Sequence, residues 1–131
     1  MTAILLDTTA FLWLVSTPDR IATSARQQLE ATSNELFVSA ASAWEIAIKT
    51  RLGRLEGNAL LSSWGKILES MYATDLPIDS ADAVMAGQLS WDHKDPFDRM
   101  IVAQAARRGL AIATSDKALQ HGAVTPLIAT R

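Results

Sequence analysis

Four consecutive apolar residues, Ala3-Ile4-Leu5-Leu6, constrain this chain more than any other feature. A strand without polar alternation has no face to give to water, so both of its faces must be covered. Comparable short runs recur at Glu35–Val38, Leu76-Pro77-Ile78, Leu110–Ala113 and Val124–Ile128. Between them lie stretches with helical spacing: Ala10–Val15, Ile21–Leu29, a segment capped by Ser39 or Ser42, one opened by Asn58 and running through Leu68, and Ser80–Leu89. Asp95-Pro96 opens a further helix to about Arg108, which Gly109 ends. Strand and helix alternate, which predicts an α/β fold with a mainly parallel central sheet flanked by helices.

At 131 residues the chain suits one domain spanning 1–131, with no linker and no repeat. It has no cysteine, which excludes disulfides, thiolate zinc sites and a cysteine nucleophile, and suits a reducing cytoplasm. Met1–Leu6 lacks a basic lead and Asp7 interrupts it, so no secretory signal is expected. No apolar run reaches the roughly 18–20 residues that span a bilayer, so no membrane partner is expected. The formal charge of -2 argues against a tight phosphate-gripping binder but leaves room for an enzyme that visits nucleic acid briefly.

Four acids stand out by position. Asp7 ends the first strand, and Asp116 follows Leu110–Ala113 through Thr114 and Ser115. Ligands of open α/β sheets bind beyond the carboxyl ends of strands, so both point to the functional edge. Glu45 falls at helical spacing with Ala41, Ile48 and Leu52, on the face that also carries Trp44, and Asp98 shares register with Ile101, Val102, Ala105 and Ala106. Ionised carboxylates on apolar faces need compensation. No run of Arg or Lys shares these faces, although Lys49 and Arg99 are near in sequence, so a divalent cation is the natural partner. Each acid also has a bland reading: a helix cap for Asp7 or Asp116, an edge position for Glu45, and a capping arrangement with Asp95 for Asp98. Asp95 itself is read as the N-cap. His93 and His121 are read as surface residues, the serines lack a nucleophile elbow, and the glycines form no phosphate loop. The four tryptophans are read as core or dimer contacts.

Leu5-Leu6-Asp7-Thr8 with Phe11-Leu12-Trp13, the run Ser39 to Lys49 around Trp44-Glu45, His93 to Met100 around Asp95-Pro96-Phe97-Asp98-Arg99, and Thr114-Ser115-Asp116 together resemble a PIN domain, specifically the VapC-type toxins of type II toxin–antitoxin systems. The resemblance covers nearly the whole chain. It implies an acidic metal site at Asp7, Glu45, Asp98 and Asp116, with Thr114 or Ser115 as hydroxyl support. It further implies Mg²⁺ or Mn²⁺, cleavage of RNA, a homodimer, and a VapB-like antitoxin partner in a higher-order complex. Thr9 stands where relatives often carry His or another polar residue, and Ser115 separates Thr114 from the last acid.

An all-carboxylate pocket suits hard cations and not zinc. Lys49, Arg51 and Arg99 are candidate RNA contacts, with Arg54, Lys94, Arg107 and Arg108 as further basic groups at helix ends, where dipole complementation explains them equally well. Two rival classes stay open at this point: a non-catalytic module whose acids bind a partner, and a phosphotransfer domain with Asp7 as acceptor.

Overall fold

The computed structural model describes residues 1–131. Its five strands are β1 (Ala3–Leu6), β2 (Glu35–Ser39), β3 (Ala73–Leu76), β4 (Ala111–Thr114) and β5 (Leu127–Ala129). The helices are α1 (Thr8–Ser16), α2 (Thr23–Glu30), α3 (Ala40–Arg51), α4 (Asn58–Ser62), α5 (Trp64–Ser70), α6 (Ser80–Gln88), α7 (Pro96–Arg108) and α8 (Lys117–Gly122). The strands form one sheet in the order β3-β2-β1-β4-β5, and every pairing is parallel. The expected α/β class is therefore realised, with a wholly parallel sheet.

β1 sits at the centre and is buried on both faces, as its apolar run requires. Ile4 and Leu6 join Phe11, Val38 and Ile46 in one core, while Leu5 joins Ile101, Val102, Ile112 and Leu119 in the other. From β1 the chain moves outward to β2 and β3, then crosses back to place β4 on the opposite side of β1. That reversal puts the point where the strand order switches between β1 and β4, and the carboxyl ends of strands at such a point are the general ligand position of these sheets.

α7 follows the sequence reading to the residue. The Asp95 side chain accepts from the Phe97 and Asp98 amides, and Gly109 takes the left-handed conformation that ends the helix (φ 65, ψ 39). Several other expectations shift. The helix opened near Asn58 is two short helices broken at Ser63. β3 precedes Pro77, which has no amide to give a ladder, and β5 begins after Pro126. The segment after Asp116, without an assigned element in the sequence reading, forms α8. On α3 the buried residues are Ala41, Ser42, Glu45 and Ile46, whereas Trp44 and Leu52 are exposed. The inward face is rotated from the one expected, because the neighbouring α1 offers a hydroxyl: Thr8 Oγ1 and Ser42 Oγ lie 2.9 Å apart. No helix is long and apolar enough to cross a membrane.

Candidate active site

Asp7 follows β1 directly and caps α1, its Oδ1 accepting from the Ala10 amide at 2.7 Å. Its Oδ2 accepts the Thr114 hydroxyl at 2.5 Å, from the last residue of β4. The same Thr114 oxygen accepts the Asp116 amide at 3.0 Å. One hydroxyl thus ties the end of β1 to the turn after β4, and it is Thr114, not Ser115, that supplies the support. Asp116 caps α8 through Oδ1, which accepts from the Ala118 amide, leaving Oδ2 without a protein donor. The helix-cap reading of Asp7 and Asp116 is correct as far as it goes; each carboxylate still has lone pairs beyond its cap bond.

Asp98 sits in the first turn of α7, but its side chain does not complete a capping box. Its Oδ2 meets His93 Nε2 at 2.8 Å instead. His93, expected on the surface, is therefore part of this group, held 4.7 Å from the Trp91 ring. His93, Asp95 and Asp98 each bring a ligand-type atom within 4.8 Å of the others. A signal existed in the five-residue interval from His93 to Asp98, but only the fold of the loop makes it a contact.

Burial is the main cause that pushes Asp7 up to about 6; the Thr114 and Ala10 hydrogen bonds oppose it, and the charges of Asp98 and Asp116 add to it. Asp98 is likewise pushed up to about 6, first by burial, with the His93 bond lowering it and Asp95 and Asp116 raising it. Asp7, Asp98 and Asp116 are thus close enough to feel one another's charge. Glu45 is buried on α3, which packs against both α1 and α7, but its Oε2 is paired with Lys49 Nζ at 2.5 Å. No run of bases was expected on this face, and the one nearby base, Lys49 one turn on, suffices to pair with Glu45 where a cation was expected to do so.

The expected basic contacts divide sharply. Arg99 points inward, its guanidinium donating to the carbonyls of Ala86, Gly87, Leu89, Trp91 and His93. Arg107 and Arg108 bind the fully buried Asp82 on α6. Arg99 is thereby committed to the loop, and Arg107 and Arg108, still partly open to solvent, are engaged by Asp82; the packing of α6 and its following loop against α7 brings about all three contacts. Arg51 remains exposed at the end of α3.

A PIN-domain family model matches residues 4–124. Over 120 residues the chain is 31% identical to Ribonuclease VapC22 of Mycobacterium tuberculosis, covering 92% of each. The chain belongs to the PIN-domain family, in its VapC-type branch. This PIN domain also shares its fold with a chain of the DNA-bound VapBC complex from Salmonella typhimurium, at 20% identity, full coverage of both chains and a TM-score of 0.68. A chain of VapBC2 from Rickettsia felis, bound to a promoter DNA fragment, superposes with a TM-score of 0.70 at 14% identity, over 97% of this chain and 98% of that one. The family resemblance read from the four sequence blocks is borne out.

One close approach in this PIN domain supports the histidine. A Cβ on Gly122, at the end of α8, would lie 2.3–2.6 Å from three Trp91 ring atoms. Gly122→Ala is therefore expected to cost roughly 1–3 kcal/mol, the usual range for overpacking, measured by urea unfolding. An unchanged midpoint would mean that the α8–Trp91 contact is looser than described.

Proposed function

We propose that this PIN domain is the toxin half of a VapBC-type pair, an endoribonuclease that cleaves RNA phosphodiester bonds with Mg²⁺ or Mn²⁺. What supports this reading is that Asp7 and Asp116 follow the adjacent strands β1 and β4 and, with Asp98, feel one another's charge, Asp7 and Asp98 being pushed up to about 6 mainly by burial. Asp7, Asp98 and Asp116 would hold the ion, with Glu45 joining when Lys49 gives way. The donor set fits a hard cation, being all oxygen, and Thr114 and the cap bonds hold the carboxylates in place. When bound, such an ion supplies an activated water and neutralises charge on the phosphate.

The residues themselves divide the remaining work. Thr9 stands two residues after Asp7, where an aspartyl-phosphate phosphatase would carry a second acid, which disfavours the phosphotransfer reading. Arg51, exposed at the end of α3, supplies positive charge for the RNA backbone, and Lys49 adds its own on leaving Glu45. Trp44 is exposed and stacks edge-on against Phe97 beside a groove of about 220 Å³ between α3, α6 and α7, a surface suited to a VapB-like antitoxin or a second copy. The cytoplasm, where RNA and antitoxin meet, is the location that fits.

Purified protein incubated with mixed RNA is expected to cleave it with Mg²⁺ or Mn²⁺ and to stop on adding EDTA. Cleavage that is indifferent to the chelator sinks the metal-dependent reading.

The raised carboxylates also set a pH dependence. Because their native pKa lies above the unfolded value, the native state holds extra protons between about 4 and 6. Stability of the metal-free protein should therefore fall as pH rises through that window, by on the order of 3 kcal/mol for Asp7 alone. Mn²⁺ should raise the melting temperature more at pH 7.5 than at pH 5, since protons compete with it. Equal Mn²⁺ shifts at both pH values in thermal melts would contradict this.

A further inference from the structure

Residues 89–95 connect α6 to α7 with no regular secondary structure, yet they deliver His93 to Asp98. Three of their main-chain carbonyls, with two more from the end of α6, converge on a single side chain. Arg99 Nε donates to Ala86 O at 2.9 Å, one terminal nitrogen to Trp91 O at 2.6 Å and His93 O at 3.0 Å, and the other to Leu89 O at 2.8 Å and Gly87 O at 3.4 Å. A guanidinium has five N–H donors in a fixed plane, and here five carbonyls surround it. A lysine, with three donors at one point, cannot reach this set.

We propose that Arg99 is a positioning residue for the active site: it shapes the 87–93 segment so that the His93 imidazole is held on Asp98 Oδ2, fixing that carboxylate and leaving its Oδ1 for the metal. The inference rests on the reading of Asp98 as a metal ligand given above. With Asp98 ionised, His93 Nε2 is the donor, and the Trp91 ring beside the imidazole limits its rotation. Outer partners of ligating groups commonly change metal affinity by roughly 10–100-fold when removed. Arg99 acts one step further out, through His93.

The test measures Mn²⁺ affinity by calorimetry and electron paramagnetic resonance, alongside the His93 ring ¹⁵N spectrum of the metal-free protein. His93→Ala should weaken Mn²⁺ by roughly 10–100-fold, and His93→Gln, which keeps an N–H donor at that reach, should recover most of it. Arg99→Lys should weaken Mn²⁺ by a similar factor and erase the hydrogen-bonded His93 ring signal. In the His93→Ala background, Arg99→Lys should add nothing, because the step it controls is gone. Fully additive losses, or unchanged affinity in His93→Ala, would overturn the proposal. Should Arg99→Lys fail to fold, Arg99→Gln takes its place with the same two readouts, and an unchanged Mn²⁺ affinity and His93 signal in it sink the proposal. Wild-type protein that binds no Mn²⁺ would instead bring down the metal reading itself.

Discussion

Replacing Asp98 with asparagine is expected to lower metal-dependent RNA cleavage by roughly 10²–10³-fold or more, the scale for losing one charge-stabilising group at a reacting centre. The same change should raise the melting temperature of the metal-free protein by a few degrees. Both effects come from one cause. Asp98 is largely buried, and its carboxyl is pushed up to about 6, first by burial and then by Asp95 and Asp116 against the opposing His93 bond. At pH 7.5 the native state therefore carries a charge that it holds at a cost. Asparagine keeps an acceptor for His93 and removes the charge. The stabilisation should be full above about 6 and vanish below the unfolded carboxyl value near 4. Full activity in the variant would remove Asp98 from the site. A gain in melting temperature that is the same at pH 4 and 7.5 would detach the effect from ionisation.

Asp82→Ala is expected to produce the largest loss of stability, on the order of 3 kcal/mol, the scale for losing hydrogen bonds to charged groups together with part of a helix cap. Asp82 is fully buried on α6. Burial works against its charge, but hydrogen bonds from Arg108, Arg107 and Gln104 hold its carboxyl well below the usual range. It also completes the capping box with Asp79 at the start of α6. Alanine would release two guanidinium groups to solvent and Asp79, take one partner from the buried Gln104 amide, and unlock α6 from α7. Thermal melts at neutral pH should show a fall of about 10 °C or more. Because the native pKa is depressed, the stabilisation is complete above the unfolded value near 4 and is lost as pH falls below it. The gap between wild type and variant should therefore close in acid. A variant within a degree of wild type at neutral pH would show that Arg107 and Arg108 find replacement partners.

The two substitutions mark where the sequence was readable and where it was not. α7 could be read at both ends because its signals are local: Asp95 and Pro96 at the start, Gly109 at the end. The places of Asp7 and Asp116 just beyond strand ends were legible because each follows an apolar strand that can sit only in a covered sheet. Asp82 was hidden because its partners lie 22–26 residues away, and nothing in Ser80–Gln88 reveals an acid facing inward. Arg99, Arg107 and Arg108 looked like substrate contacts for the same reason, since exposure of a basic residue depends on what packs over it. Trp44 and Leu52 misled in the opposite direction: their hydrophobicity suggested a core face, whereas Ser42 and Glu45 are the residues that turn inward. Polar burial is decided by tertiary neighbours, and hydrophobic periodicity is blind to it.

The bond between the Thr114 hydroxyl and Asp7 joins residues 107 positions apart in the chain. During synthesis, β1, β2 and β3 are available long before β4 leaves the ribosome, and β1 waits with one flank unpaired. Until β4 docks there, Asp7 has neither its hydroxyl donor nor the neighbouring acid from the following turn. A nascent fragment ending before residue 114 therefore lacks the assembled centre, so any cutting power arises late in translation, after most of the polypeptide has already been made.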